Sequence, residues 1–152
     1  MRAQVATGVA AVGLLACTAP QEYSPQRAAW DEWAATVQVI RLDPLLLNGA
    51  CGYAPPSKTA NVILLADPAP VGCEGTADHE KAHVFAYQND IFMGEPGEPC
   101  VVPSPCPGAE RAAEAILAAV GLPTSRDPEL GYGRPGPAYI EQARQALWRA
   151  GL

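Results

Sequence analysis

Apolar residues recur along the chain with two different periods, and the changes of period divide it into elements. Val5 to Ala16 is an apolar run rich in Ala and Gly, too short to span a bilayer. From Ser24 or Pro25 the spacing becomes helical, with a hydroxyl N-cap, proline at the first helical position, and Trp30 and Trp33 on one face through about Ala35. Both tryptophans are expected to pack that helix on the core. Thr36 to Leu42 alternates with β-branched residues and predicts a strand, which Asp43-Pro44 stops. Leu45-Leu46-Leu47 fits no single period, and Asn48 to Pro56 reads as loop. Asn61 to Ala66 predicts a second strand, apolar enough to be buried on both faces, and Asp67-Pro68-Ala69-Pro70 ends it. Helical spacing returns from about Thr76 to about Phe92, with Thr76 as N-cap and Val84, Phe85 and Tyr87 as core contacts. After a Gly/Pro loop from Gly94 to Pro107, an alanine-rich helix over 109–120 turns Ile116, Leu117 and Val120 inward and ends at Gly121. A second Gly/Pro loop leads to a last helix, about Pro137 to Ala150, whose predicted buried face is Ile140, Ala143, Leu147 and Trp148. The fold class is α+β, a small sheet packed on helices.

Composition refines this picture. Sixteen prolines and fourteen glycines in 152 residues mean short elements and many connections, and nothing repeats. The net charge is −6, or −7 once Arg2 is removed, which argues against nucleic acid or an anionic membrane surface as a partner of the chain as a whole. Arg2 and the apolar run that follows have the layout of an export signal. The run ends Leu14-Leu15-Ala16-Cys17, which resembles a bacterial lipobox, where cleavage precedes a cysteine that is then acylated. Plain secretion with cleavage near Ala16 or Ala19 is the alternative. The expected layout is a lipoprotein signal peptide over 1–16, a tether over 17–26 and one domain over 27–152. Either way the chain is expected outside the cytoplasm, in the periplasm, outer membrane or cell surface, with the membrane reached through the lipid. Thr18 after Cys17, in place of the Asp that often retains lipoproteins at the inner membrane, favours the outer membrane or cell surface.

Five cysteines are an awkward number in an exported protein. With Cys17 acylated, Cys51, Cys73, Cys100 and Cys106 remain, enough for two disulfides in an oxidising compartment. Three connectivities are open; Cys51–Cys73 with Cys100–Cys106 is favoured because both close local loops. Cysteine as a metal ligand is the rival reading, and it lacks a Cys-x-x-Cys pair.

The chemistry concentrates in Asp78-His79-Glu80-Lys81-Ala82-His83. These two histidines are the only two in the chain. Four residues apart on a helix, they project side by side from neighbouring turns and suit two imidazole bonds to one metal ion. Glu80 is turned about 100° from His79, so it flanks an ion held there and is placed to take a proton from a water on it. The alternative is a solvated helix whose histidines have no chemical role.

His79-Glu80-Lys81-Ala82-His83-Val84, with Tyr87-Gln88 after it, resembles the active helix of the zincin metallopeptidases. The metzincin subgroup would need Gly and His or Asp where this chain has Ala86 and Asn89, and Asp90 is one residue out of register. The gluzincin subgroup has a Glu on a later helix followed four residues on by an acid, and Glu110-Arg111-Ala112-Ala113-Glu114 is similar to that pattern. The resemblance implies a zincin-like α+β fold in which the second helix carries Glu110 as third zinc ligand and Glu114 as the partner that orients a histidine. It also implies Zn2+ as cofactor, Glu80 as general base, and peptide-bond hydrolysis on a peptide or protein substrate. A tyrosine is expected to stabilise the oxyanion, Tyr132 first and Tyr139 second. In zincins the strand before the active helix is often a sheet edge that pairs with substrate; here either 61–66 or 36–42 takes the edge. A non-catalytic envelope lipoprotein that holds zinc or a partner, stapled by two disulfides, is the competing function.

Overall fold

The structure, a computed structural model, describes residues 25–94, 107–124 and 134–152. Ser24, Cys17, Cys100, Cys106 and Tyr132 lie outside them, and with them the lipid anchor, the second disulfide and the first choice of oxyanion donor.

The fold is α+β. Among the described residues it has four helices and a three-stranded sheet: α1 (Pro25–Ala35), β1 (Gln38–Leu42), β2 (Gly52–Tyr53), β3 (Val62–Ala66), α2 (Thr76–Gln88), α3 (Pro107–Ala119) and α4 (Pro137–Arg149). The sheet order is β1-β3-β2. β1 runs parallel to β3, with Ile40 opposite Leu64, and β2 runs antiparallel to it, with Tyr53 opposite Leu64. The stretch over 61–66 is therefore the sheet centre and not an edge, consistent with the burial of Ile63, Leu65 and Ala66. Among the described residues the edges are β1, which is largely exposed, and β2, which the loop-like composition of Cys51 to Pro56 concealed.

Helix α2 lies between the sheet and the other helices. Its Val84 packs with Val37, Ala54, Ile63 and Leu65 on the sheet side. Its Ala82, Phe85 and Ala86 join Trp30, Ala112, Ala113, Ile116 and Leu147 on the other side. Trp30 and Trp33 both meet the Phe85 ring edge-on, at 5.8 and 5.1 Å between centroids, so the first helix packs on the core as expected. Alanines bring α3 close to α2; Ala112, Ala113 and Ala115 are all fully buried.

One stretch left open by its pattern is now defined, and three details differ from expectation. Leu45 and Leu46 sit in a short 3-10 turn, Pro44–Leu47, and are exposed. Helix α2 stops at Gln88, because Asp90 takes the left-handed conformation at φ 54°. It starts from Gly75 at φ 81°, while the Thr76 hydroxyl donates backwards to the Cys73 carbonyl. Trp148 is not in the buried face of α4: it is 81% exposed, whereas Ala143 and Leu147 are fully buried. One residue beyond Leu147 is a rotation of about 100°, which carries Trp148 off the inward stripe.

Candidate metal centre

Two helices build the site. His79 and His83 come from successive turns of α2, and Glu110 and Glu114 from successive turns of α3. His79 meets Glu114 and His83 meets Glu110, an order that requires the helices to run antiparallel.

The donor atoms converge. His79 Nε2 lies 2.9 Å from Glu110 Oε2, His83 Nε2 lies 3.0 Å from Glu110 Oε1, and the two Nε2 atoms are 3.1 Å apart. His79, His83 and Glu110 thus offer ligand atoms that all fall within 4.8 Å of one another, and this group could hold a metal ion. Around a tetrahedral ion with bonds of about 2.0 Å, neighbouring donors stand about 3.3 Å apart, slightly wider than the spacing here.

The hydrogen-bonding pattern fits a cation. His79 Nδ1 donates to Glu114 Oε1 at 2.9 Å, an assignment that leaves the Nε2 lone pair of His79 facing the cluster. That lone pair then points at a second imidazole nitrogen and at a carboxylate. Three acceptors aimed at one point repel unless a proton or a metal ion lies among them. Without a metal the proton takes that place. Burial alone would lower the His79 pKa, but the hydrogen bonds to Glu110 and Glu114 and the charges of Glu110 and Glu80 outweigh it and raise it to about 10. Burial alone would likewise raise Glu110, yet hydrogen bonds from His79 and His83, and their charge, bring it down to about 2.

Three carboxylates are buried here, with Glu80 at 9%, Glu110 at 5% and Glu114 at 1% relative exposure. Burying that much negative charge is unfavourable unless positive charge compensates it, which a divalent ion would do. Among the described residues His83 Nδ1 is buried with no hydrogen-bond partner, so the polar contacts of that ring run through Nε2.

Glu80 stands beside the donor group on the sheet side of α2. Gly52 of β2 lies against it, so that a Cβ there would be 2.8 Å from Glu80 Cγ and 2.7 Å from Thr76 Cγ2. The Ala54 N–H donates to the Glu80 carboxylate. Burial raises the Glu80 pKa, against the attraction of His83 and His79, which moves this carboxyl toward the range useful for proton exchange. Edge strand β2 is thus the shelf on which Glu80 rests. A disulfide between Cys51 and Cys73 ties the start of β2 to the loop just before α2, the local pairing favoured from the sequence.

The other expected residues fall elsewhere. Tyr139 lies on α4 with Arg111 over its ring at 5.3 Å, packed against the helical core and not at the site. Asp90 is exposed and pairs with Lys58 at 2.6 Å. One tyrosine that the sequence reading treated only as core is at the site. Tyr87 stacks on the His83 ring at 5.8 Å and 15°. Burial, and then the charges of Glu110 and Glu80, raise its pKa. The signal was its spacing, since Tyr87 follows His83 by four residues on the same helix.

No protein-family model matches the chain, and no curated protein or solved structure matches it either.

Proposed function

We propose that the chain is a zinc-dependent hydrolase of the zincin type that cleaves peptide bonds. The observation that carries this reading is the convergence of His79, His83 and Glu110 on one point with the Glu80 carboxylate alongside. Two imidazoles and one carboxylate are a donor set that suits zinc and leaves one position open for water. A zinc ion there would supply a Lewis acid and lower the pKa of a water toward about 7.

The chain's own residues do the rest. Glu114 fixes the His79 ring through Nδ1, so that Nε2 faces the site. Glu80 accepts the proton of the attacking water and returns it to the leaving amine. The Ala54 N–H steadies the Glu80 carboxylate. Tyr87, stacked on His83, takes the place of Tyr139 as a phenol at the site among the described residues. Antiparallel edge β2, beside Glu80, offers backbone groups to an extended peptide. Export and anchoring through Cys17 are part of the same reading, supported by the Leu14-Leu15-Ala16-Cys17 run and by a disulfide, which belongs to an oxidising compartment.

Metal analysis tests this directly. The exported chain should carry about one zinc per molecule, as the three-donor geometry implies, and lose it in His83→Ala and Glu110→Gln. Glu80→Gln should keep the zinc and abolish cleavage of a mixed peptide library. Zinc retained with no cleavage in any condition would leave a zinc-holding envelope protein. A folded chain without zinc would end the hydrolase reading.

A further inference from the structure

Trp148 has no role in the core or at the metal centre. It projects from the outer face of α4 and, with Gln26, Glu141, Arg144, Gln145 and Arg149, lines an open groove of about 510 Å3. Glu141, Arg144, Gln145 and Trp148 follow helical spacing, so they form one outward stripe. Arg144 is only loosely engaged, at 3.7 Å from Glu141. The groove therefore presents an indole and two guanidinium groups to solvent against a single carboxylate, on a chain whose net charge is −6.

The position of this face bears on what it could meet. Gln26 is the second residue of α1, so the groove lies where the chain enters the domain. Cys17 is eight residues before Pro25, and an extended tether of that length reaches at most about 28 Å. An acyl group on Cys17 would hold this face within that distance of a bilayer. Indole rings favour the headgroup level of a membrane, and guanidinium groups pair with lipid phosphates. Such a patch is weak by itself, but a tether converts its binding into a high local concentration.

We propose that the Arg144–Trp148–Arg149 face of α4 docks on an anionic phospholipid surface. The proximity of the membrane rests on the anchor reading; the docking chemistry does not. Helix α3 separates α4 from α2, so a domain docked this way turns its metal centre away from the lipid, toward substrates in the aqueous space.

The test uses vesicles of phosphatidylcholine, with and without phosphatidylglycerol, made with ordinary or brominated acyl chains. Trp148 emission is isolated as the difference between the chain and its Trp148→Phe variant. In the acylated, vesicle-bound chain, brominated lipid should quench this emission, more so with phosphatidylglycerol. In a Cys17→Ser chain, partition onto phosphatidylglycerol vesicles should fall by roughly 30-fold in the Arg144→Gln/Arg149→Gln double variant. All variants share one N-terminus, so whatever that segment contributes cancels. Trp148 unquenched in vesicle-bound protein would overturn the proposal, as would partition unchanged in the double variant. Trp148 shielded from aqueous iodide without lipid, in a concentration-dependent way, would also overturn it and identify a second copy as the occupant. Intact mass reports acylation separately: an unacylated chain that still partitions through its arginines keeps the docking and loses the anchor.

Discussion

At the scale of single residues, the site depends on groups that would not touch a bound ion. Glu114 is 1% exposed and holds His79 Nδ1 at 2.9 Å. Glu114→Gln keeps the shape but weakens that hold, so zinc affinity should fall about 10–100-fold in competition with a chromophoric chelator. Unchanged affinity would mean that packing alone orients the ring. Gly52 has a different constraint: a methyl group there would come within 2.8 Å of Glu80 Cγ and 3.1 Å of the Leu64 carbonyl oxygen. With Thr76 Cγ2 closer still at 2.7 Å, Gly52→Ala must push β2 from β3 or displace the Thr76 and Glu80 side chains. We expect a stability loss of about 1–3 kcal/mol in urea unfolding, with zinc content unchanged and cleavage reduced at least about tenfold. Full cleavage in this variant would detach β2 from the positioning of Glu80.

At the scale of elements, legibility followed burial. Helices α1, α3 and α4 were readable because their apolar stripes and caps agree with one another. Helix α2 was readable for another reason: its inward positions include Glu80 and His83, charged or polar groups that a purely structural helix would keep outside. The pairing of α3 with α2 came from resemblance rather than from pattern, because two glutamates four apart on a helix look the same whether they face water or a histidine. Strand β2 was not legible at all. Two residues carry no period, and Gly52-Tyr53 becomes a strand only through its pairing with β3. Trp148 misled because its apolarity outweighed its angle. The Cys51–Cys73 bond is the element-scale device that holds β2 against the start of α2, and it closes a separation of 22 residues. Replacing both cysteines with serine should lower stability by about 3 kcal/mol under oxidising conditions. The loss should appear first as faster amide exchange at Tyr53 and Ala54, ahead of the helices; uniform acceleration would show that the bond serves the whole fold equally.

At the scale of the molecule, the buried cluster of His79, His83, Glu110 and Glu114 couples folding to pH. In metal-free protein His79 is protonated up to about 10, above its ordinary 6.5, while Glu110 stays ionised down to about 2, below its ordinary 4.5. A raised pKa in the folded state contributes stability that is complete below 6.5 and is lost as pH rises toward 10. A lowered one contributes stability that is complete above 4.5 and is lost as pH falls toward 2. Both contributions are complete together only between 4.5 and 6.5. The chelator-treated chain should therefore melt highest in that window and lose stability toward alkaline pH. Zinc bound as proposed would displace the His79 proton, so its affinity should rise with pH across the same alkaline range. The loaded chain should then gain stability where the metal-free one loses it, by about 2.7 kcal/mol when free zinc is a hundred times its dissociation constant. Melting curves of both forms from acid to alkaline pH would decide the matter. Curves that diverge above 6.5 place a proton and a metal ion in competition for His79; parallel curves would mean that any bound metal sits elsewhere and that the buried cluster of histidines and glutamates serves the fold alone.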